Sequence, residues 1–203
     1  MKKLITLLVL LVTIESFAQT EREIANYYNE ICLKTEFGGP QKTTVKFKKD
    51  VNICVVGEEN KELVVELHRI VDELNYLIES IEINIVDSPA DCNVLLYLGS
   101  QEGFMEYTNN ESQKQFLDDN WGAFFFYRTQ DGTGIRFSEV FINTIDTRTL
   151  KQQKHLLREE LTQTLGFPND SYEYENSIFQ QRWTEVTEYS ELDKKIIKMH
   201  YKL

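Results

Sequence analysis

Residues 59–81 place Leu63, Leu67, Ile70, Leu74, Leu77 and Ile81 in one stripe at helical spacing. Such a stripe must lie on an apolar surface, and extended segments flank it on both sides. Before it, residues 43–56 read as extended: Val45 and Phe47 alternate with lysines, Val51, Ile53, Val55 and Val56 follow, and Gly57 stops the run. After it come the short strand Ile83-Asn84-Ile85-Val86, a turn at Asp87-Ser88-Pro89, and the run Asn93-Val94-Leu95-Leu96-Tyr97-Leu98. A strand-helix-strand order imposes a right-handed crossover and parallel pairing. The nearly continuous apolar character of residues 93–98 suits a parallel strand covered on both faces.

The rest of the chain adds to that sheet. Residues 100–120 read as a short helix and a polar loop. Ala123-Phe124-Phe125-Phe126-Tyr127-Arg128 is apolar on both faces, and Asp131-Gly132-Thr133-Gly134 is a hairpin turn leading into a return strand from Ile135 to Asn143. Thr147 or Thr149 can cap a helix running to about Leu165, where Gly166 and Pro168 end it. A looser tail precedes a last helix over residues 190–201. The hairpin brings an antiparallel member, so the expected class is α+β with a mixed sheet. Trp121, Trp183 and the phenylalanine run are expected in the core.

The N-terminus has a separate meaning. Met1-Lys2-Lys3 precedes an apolar run from Leu4 to Val12, with Ser16 and Ala18 at the small positions of a cleavage site. The run is shorter than the roughly 20 residues that span a bilayer. The expected organisation is a signal peptide over 1–18, an N-terminal helix and linker over 19–42, and one domain over 43–203. In that helix Ile24, Tyr27, Tyr28 and Ile31 share a face, and Gly38-Gly39-Pro40 ends it. The mature protein is expected outside the cytoplasm, periplasmic or extracellular, with no membrane span after signal removal. Cys32, Cys54 and Cys92 match no metal-knuckle spacing; one disulfide and one free thiol are the most they can make within the chain.

Composition narrows the function. The 203 residues carry a formal net charge of -11, which argues against a nucleic-acid partner, because such binders need a basic face. Only 3 His and 3 Cys are present, too few for a site built from several histidines or a cysteine cage.

The chemistry concentrates on the helix near residue 160. A helix turns about 100° per residue, so Leu150, Leu157, Leu161 and Leu165 share the core sector. His155, Glu159 and Gln163 lie at i, i+4 and i+8 on the opposite side, with Glu160 at the border. Gly166 allows a sharp return that brings Asn169 and Asp170 back to the helix end. This is the skeleton of a zinc-peptidase helix, which places two ligands at i and i+4 and a glutamate base at i+1. Here those positions hold Glu159, Gln163 and Glu160. Asn169, with Asp170 next, stands at the third ligand position. A shifted set of His155, Glu159 and Asp170 is chemically better, because an amide is a feeble zinc donor. The plain alternative is a solvated helix face. Glu159 and Glu160 make a poor glycosidase pair, and nothing marks a serine or cysteine nucleophile. His68 is expected at the surface, and His200 can approach the core.

Several marks carry a resemblance. They are Glu36-Phe37-Gly38, Arg158-Glu159-Glu160-Leu161-Thr162-Gln163, Gly166-Phe167-Pro168-Asn169-Asp170-Ser171, Ser177-Ile178-Phe179, and Leu192-Asp193 before Ile196-Ile197 and Tyr201. With them the chain resembles a family of exported bacterial domains of unknown function related to the zincin metallopeptidases. The resemblance implies a zincin-like, five-stranded mixed sheet with an antiparallel edge strand and the site helix directly after the last strand. By that analogy residues 123–128 wall a cleft in which an extended peptide can pair. It implies Glu160 as candidate base and Glu159, Gln163, Asn169, Asp170 and His155 as candidate metal ligands. The sequence departs from the family of active enzymes in lacking both histidines of H-E-x-x-H. No cofactor is therefore expected, with zinc the ion the resemblance would imply. Three functions stay open: a domain with a degenerate metal site that binds a peptide or cell-envelope protein, an atypical metallopeptidase, and a structural envelope protein.

Overall fold

The computed structural model describes residues 20–35, 43–117, 120–145 and 148–202. The expected signal peptide over 1–18, the Glu36-Phe37-Gly38 mark, Gly38-Gly39-Pro40 and Thr147 lie outside the described residues. Helix α1 (Glu21–Leu33) is followed by β1 (Val51–Gly57), α2 (Lys61–Leu77), β2 (Ile83–Ile85), β3 (Val94–Gly99), α3 (Gln101–Thr108), α4 (Lys114–Leu117), β4 (Gly122–Arg128), β5 (Ile135–Asn143), α5 (Leu150–Gln163) and α6 (Glu191–Lys202). The strands form one sheet in the order β2-β1-β3-β5-β4. β1 pairs parallel with β2 and β3, β3 pairs parallel with β5, and β4 pairs antiparallel with β5 at the sheet edge. The fold is therefore α+β with a mixed five-stranded sheet, and α5 directly follows the last strand, as expected.

The sheet is covered on both faces. Leu96, Leu98, Val140 and Ile142 face the main core with residues from α1, α2, α5 and α6. Tyr97, Phe104, Leu117 and Phe141 make a smaller cluster on the other side. All six residues of β3 are buried, which is the reason its sequence is apolar without alternation.

Two segments differ from the sequence reading. Residues 43–50 form no strand beyond a single bridge between Phe47 and Ile135, although Val45 and Phe47 are buried. Lys46 instead donates to the His200 carbonyl at 2.9 Å, tying this segment to α6. Helix α2 stops at Leu77, and Ile78 is extended. The Asn75 amide group clamps Ile83, donating to its carbonyl and accepting from its N–H at 2.8 Å each. The clamp ties α2 to the start of β2, and Ile81 packs on the core from the bend between them rather than from the helix.

Helix α5 is held by its own charges as well as its leucines. Thr149 caps it in a reciprocal box with Gln152. Arg158 is completely buried. Its guanidinium donates to Glu73 Oε2 at 2.6 Å and Glu66 Oε1 at 3.2 Å, both on α2, and lies over the Tyr189 ring at 4.5 Å. Arg69 shares Glu66 at 2.7 Å. Burial pushes the Glu66 carboxyl up, but the hydrogen bonds from Arg69 and Arg158 outweigh it and hold the group below its usual value. Removing one partner of such a buried set leaves charge stranded in the core. Arg158→Ala should therefore cost about 3–5 kcal/mol, read as a lowered urea midpoint. A loss below about 1 kcal/mol would show that the pair behaves as a surface bridge.

Candidate functional site

A cleft of about 540 Å³ lies between α5 and the edge strand. Gly122, Ala123, Phe124, Phe125 and Phe126 all line it. Successive strand residues point to opposite faces, so a space touching five in a row runs along the edge of β4. The ladder confirms which groups look outward. Asn143 N–H donates to the Trp121 carbonyl at 2.8 Å, and the pairing sets Gly122 opposite Ile142 and Phe124 opposite Val140. Hydrogen-bonded pairs alternate along an antiparallel ladder. Ala123 and Phe125 thus bond inward to β5, whereas Gly122, Phe124 and Phe126 direct their N–H and C=O away from it. Among the described residues β4 pairs with β5 alone.

The opposite wall is the polar side of α5. His155, Glu159, Glu160 and Gln163 all line the cleft. They are not a solvated face: His155 is 2%, Gln163 3% and Glu160 8% exposed. Residues of the 180–187 tail cover this side. His155 Nδ1 donates to the Val186 carbonyl at 2.7 Å, which leaves Nε2 of the neutral ring as an acceptor. That nitrogen faces Glu159 Oε2 at 3.4 Å, and Thr184 Oγ1 stands at 3.5 Å. Burial lowers the His155 pKa. Glu160 fits its carboxylate against the start of β4. A side-chain carbon on Gly122 would come within 2.7 Å of Glu160 Oε1 and oblige that carboxylate to shift.

Gly166 makes the return that the sequence foretold. Its φ is +115°, and an added Cβ would meet the Val45 carbonyl oxygen at 2.1 Å and His200 Nε2 at 2.7 Å. The turn brings Asp170 to Gln163, whose amide donates to Asp170 Oδ1 at 2.5 Å. The Asn169 amide instead donates to the Asp170 carbonyl at 2.5 Å, and Asn169 does not line the cleft. The structure therefore gathers the candidate ligands into two separate pairs, His155 with Glu159 and Gln163 with Asp170. Among the described residues no three His, Cys, Asp or Glu side chains group closely enough to hold a metal ion. Gln163 and Asn169 are neutral amides, feeble zinc donors, and both are already bonded to Asp170, so of the three expected ligand positions only Glu159 carries a strong donor.

Sequence reasoning placed three residues wrongly: Trp121, Trp183 and Leu150. Trp121 and Trp183 are 38% and 45% exposed, and they line the cleft rather than the core. Their rings meet edge to face at 5.6 Å, and Trp183 also meets the His155 ring at 5.5 Å. Arg148 lays its guanidinium over both, 4.9 Å from the Trp183 centroid. The available signal was their setting: polar residues flank Trp183 on both sides and precede Trp121. Leu150, assigned to the core sector, is 42% exposed in the first turn of α5. Phe124 and Phe126 are half-buried and rest on the main core from the cleft side.

The other histidines stand apart. His68 is exposed. His200 is buried, with Nδ1 3.1 Å from the Tyr28 hydroxyl and Nε2 3.1 Å from the Val45 carbonyl. Burial, and secondarily Lys46, push its pKa down to about 4. The marks Ser177 and Asp193 also meet: buried Asp193 accepts from the Ser177 hydroxyl at 2.5 Å and the Ile178 N–H at 3.1 Å.

The His200 shift gives stability a pH dependence. The unfolded chain binds a proton near pH 6.5 and the folded chain only near 4, so stability is complete above 6.5 and falls as pH drops through that window. The loss amounts to roughly 3 kcal/mol. His155 acts in the same sense, and Asp193, whose pKa burial raises, acts in the opposite sense from 3.8 upward. Urea unfolding at pH 7 and 4.5 should show wild type losing most of that amount, with His200→Gln less stable at pH 7 but flatter across the window. Equal slopes would remove His200 from the account.

Comparison with known proteins places these features in a family. A family model described as "Protein of unknown function (DUF2927)" matches residues 21–203. No curated protein matches the chain. Among solved structures, the crystal structure of myroilysin is similar, with a TM-score of 0.47 and 9% identity, covering 79% of this chain and 86% of that one. Archaemetzincin from Methanopyrus kandleri is also similar, with a TM-score of 0.44 and 10% identity over 76% of this chain and 97% of that one. The chain belongs to the DUF2927 family.

Proposed function

We propose that this family member is an exported binding protein that takes an extended peptide segment of a cell-envelope partner into the cleft beside β4, without zinc catalysis. The observation that carries this reading is the outward row of Gly122, Phe124 and Phe126 along the cleft. A free strand edge supplies main-chain donors and acceptors at the spacing of another strand, and pockets for alternate side chains give selectivity. Trp121 and Trp183 supply broad apolar contact at low entropic cost. The start of the sequence, with its two lysines, apolar run and Ala18, supports export. The pairing of Gln163 with Asp170 supports a site that has turned from ligation to internal hydrogen bonding.

The two tryptophans of the chain both line the cleft, so intrinsic fluorescence reports its occupancy directly. Titration with tryptophan-free, unstructured ten-residue peptides should shift the emission saturably, with peptides recovered intact. Phe124→Pro removes one outward N–H without touching the β5 ladder, and should weaken binding about tenfold. Peptide cleavage that a chelator stops and Glu160→Gln abolishes would replace this reading with a metallopeptidase. An emission spectrum unmoved by every peptide would leave the structural role.

A further inference from the structure

Charge is unevenly spread around the cleft. Glu159, Glu160 and Asp170 line it, and among its described lining residues Arg182 is the one permanent cation. Arg182 is exposed and lays its guanidinium over the Tyr172 ring, 5.3 Å from the centroid. Tyr172 does not line the cleft, so that charge is drawn outward. Arg148 stands at the rim, stacked on the two tryptophans. His155 adds no charge near pH 7, because burial lowers its pKa. The carboxylates are held inward: Glu160 is buried against Gly122, and Asp170 Oδ1 accepts from the Gln163 amide. Glu160 therefore sits at the head of the outward row of β4, on the face that α5 covers.

A second feature asks for an acceptor. Gln180 is 3% exposed and lines the same cleft. A bridge with Ser171 sets it beside the loop that carries Asp170. Its Oε1 accepts from the Arg182 N–H at 3.2 Å, which fixes the other end of the amide as the donor. That Nε2 bonds to no group among the described residues. A buried donor without a partner is costly to keep, and a bound acceptor removes the cost.

We infer, on the peptide-docking reading above, that the segment taken by the cleft carries a lysine or arginine, whose cation lies against Glu159 and Glu160 while a neighbouring peptide carbonyl accepts from the Gln180 amide. A cation answers the surplus of negative charge, and the attraction strengthens as the peptide displaces water from the cleft. The polypeptide around it brings one carbonyl acceptor per residue, so a single ligand supplies both needs. A side chain standing opposite Gly122 and turned to the α5 face meets Glu160 with no side chain of β4 in its way. The apolar stem of either basic residue suits the phenylalanine side of the cleft. An acidic side chain in the same place meets like charge and is rejected.

The test compares tryptophan-free ten-residue peptides that differ at one central position, lysine, alanine or glutamate, titrated into the full chain and read by tryptophan emission. The lysine peptide should bind about tenfold more tightly than the alanine peptide, and the glutamate peptide more weakly than either. Raising sodium chloride from roughly 0.05 to 0.5 M should shrink the lysine preference and leave the alanine peptide nearly unmoved. Glu159→Gln should narrow the lysine-to-alanine ratio to about threefold or less. Gln180→Leu should weaken the lysine and alanine peptides by a similar factor, about fivefold. Equal affinity for the three peptides, or a lysine preference that survives both high salt and Glu159→Gln, would overturn the charge assignment while leaving peptide docking intact. Lysine amide alone binding as tightly as the lysine peptide would overturn it too, because the main-chain acceptor would then be idle. An emission spectrum moved by none of the peptides would remove the docking reading itself, and the charge assignment falls with it.

Discussion

Arg158 sits completely buried on α5 between two carboxylates of α2 and the face of Tyr189. A guanidinium stripped of water is tolerated only where partners surround it. The set therefore fixes the rotation of α5 about its own axis, beyond what the Leu157 and Leu161 contacts impose. With Arg158 turned to α2, the neighbouring His155, Glu159, Glu160 and Gln163 must face the edge strand. The chemistry of the cleft wall is thus decided by an ion pair on the other side of the helix. Tyr189 extends the same logic, since its hydroxyl meets Thr162 at 2.7 Å and anchors the tail that covers His155.

The cleft joins two surfaces of different kinds. The β4 side offers backbone groups and phenylalanine rings; the α5 side offers carboxylates, one neutral imidazole and amides already paired. Both tryptophans stand at its margin with Arg148 between them. A wall of this composition recognises shape and main chain. The Val186 carbonyl and the Thr184 hydroxyl hold His155, and Asp170 holds Gln163, so these polar groups are fixed by partners inside the protein.

Much of the scaffold was legible in the sequence because its determinants are local. The α2 stripe, the unalternating β3 run, the hairpin turn at Asp131-Gly132 and the stop at Gly166 each encode one element through period or backbone freedom. The site helix was legible for the same reason, and its resemblance rested on a contiguous run. What escaped depends on residues far apart in the chain. Glu66 and Glu73 stand 92 and 85 positions from Arg158, and no periodicity links them. The buried state of His155 and Gln163 comes from the returning tail, which has no regular pattern. Residues 43–50 carried an alternating signature, yet they make a single bridge to Ile135, and Lys46 bonds to α6, so tertiary contact overrode the local pattern. The tryptophans were expected in the core, whereas both stand at the rim of the cleft.

The central claim is that the edge of β4 is the docking line. Amide hydrogen exchange of the full chain, resolved by residue with and without bound peptide, tests it most directly. Protection should rise at Gly122, Phe124 and Phe126, the outward amides, while Ala123 and Phe125, already bonded to β5, change little. Equal change at all five amides, or none, with the tryptophan signal saturated would contradict strand pairing at this edge.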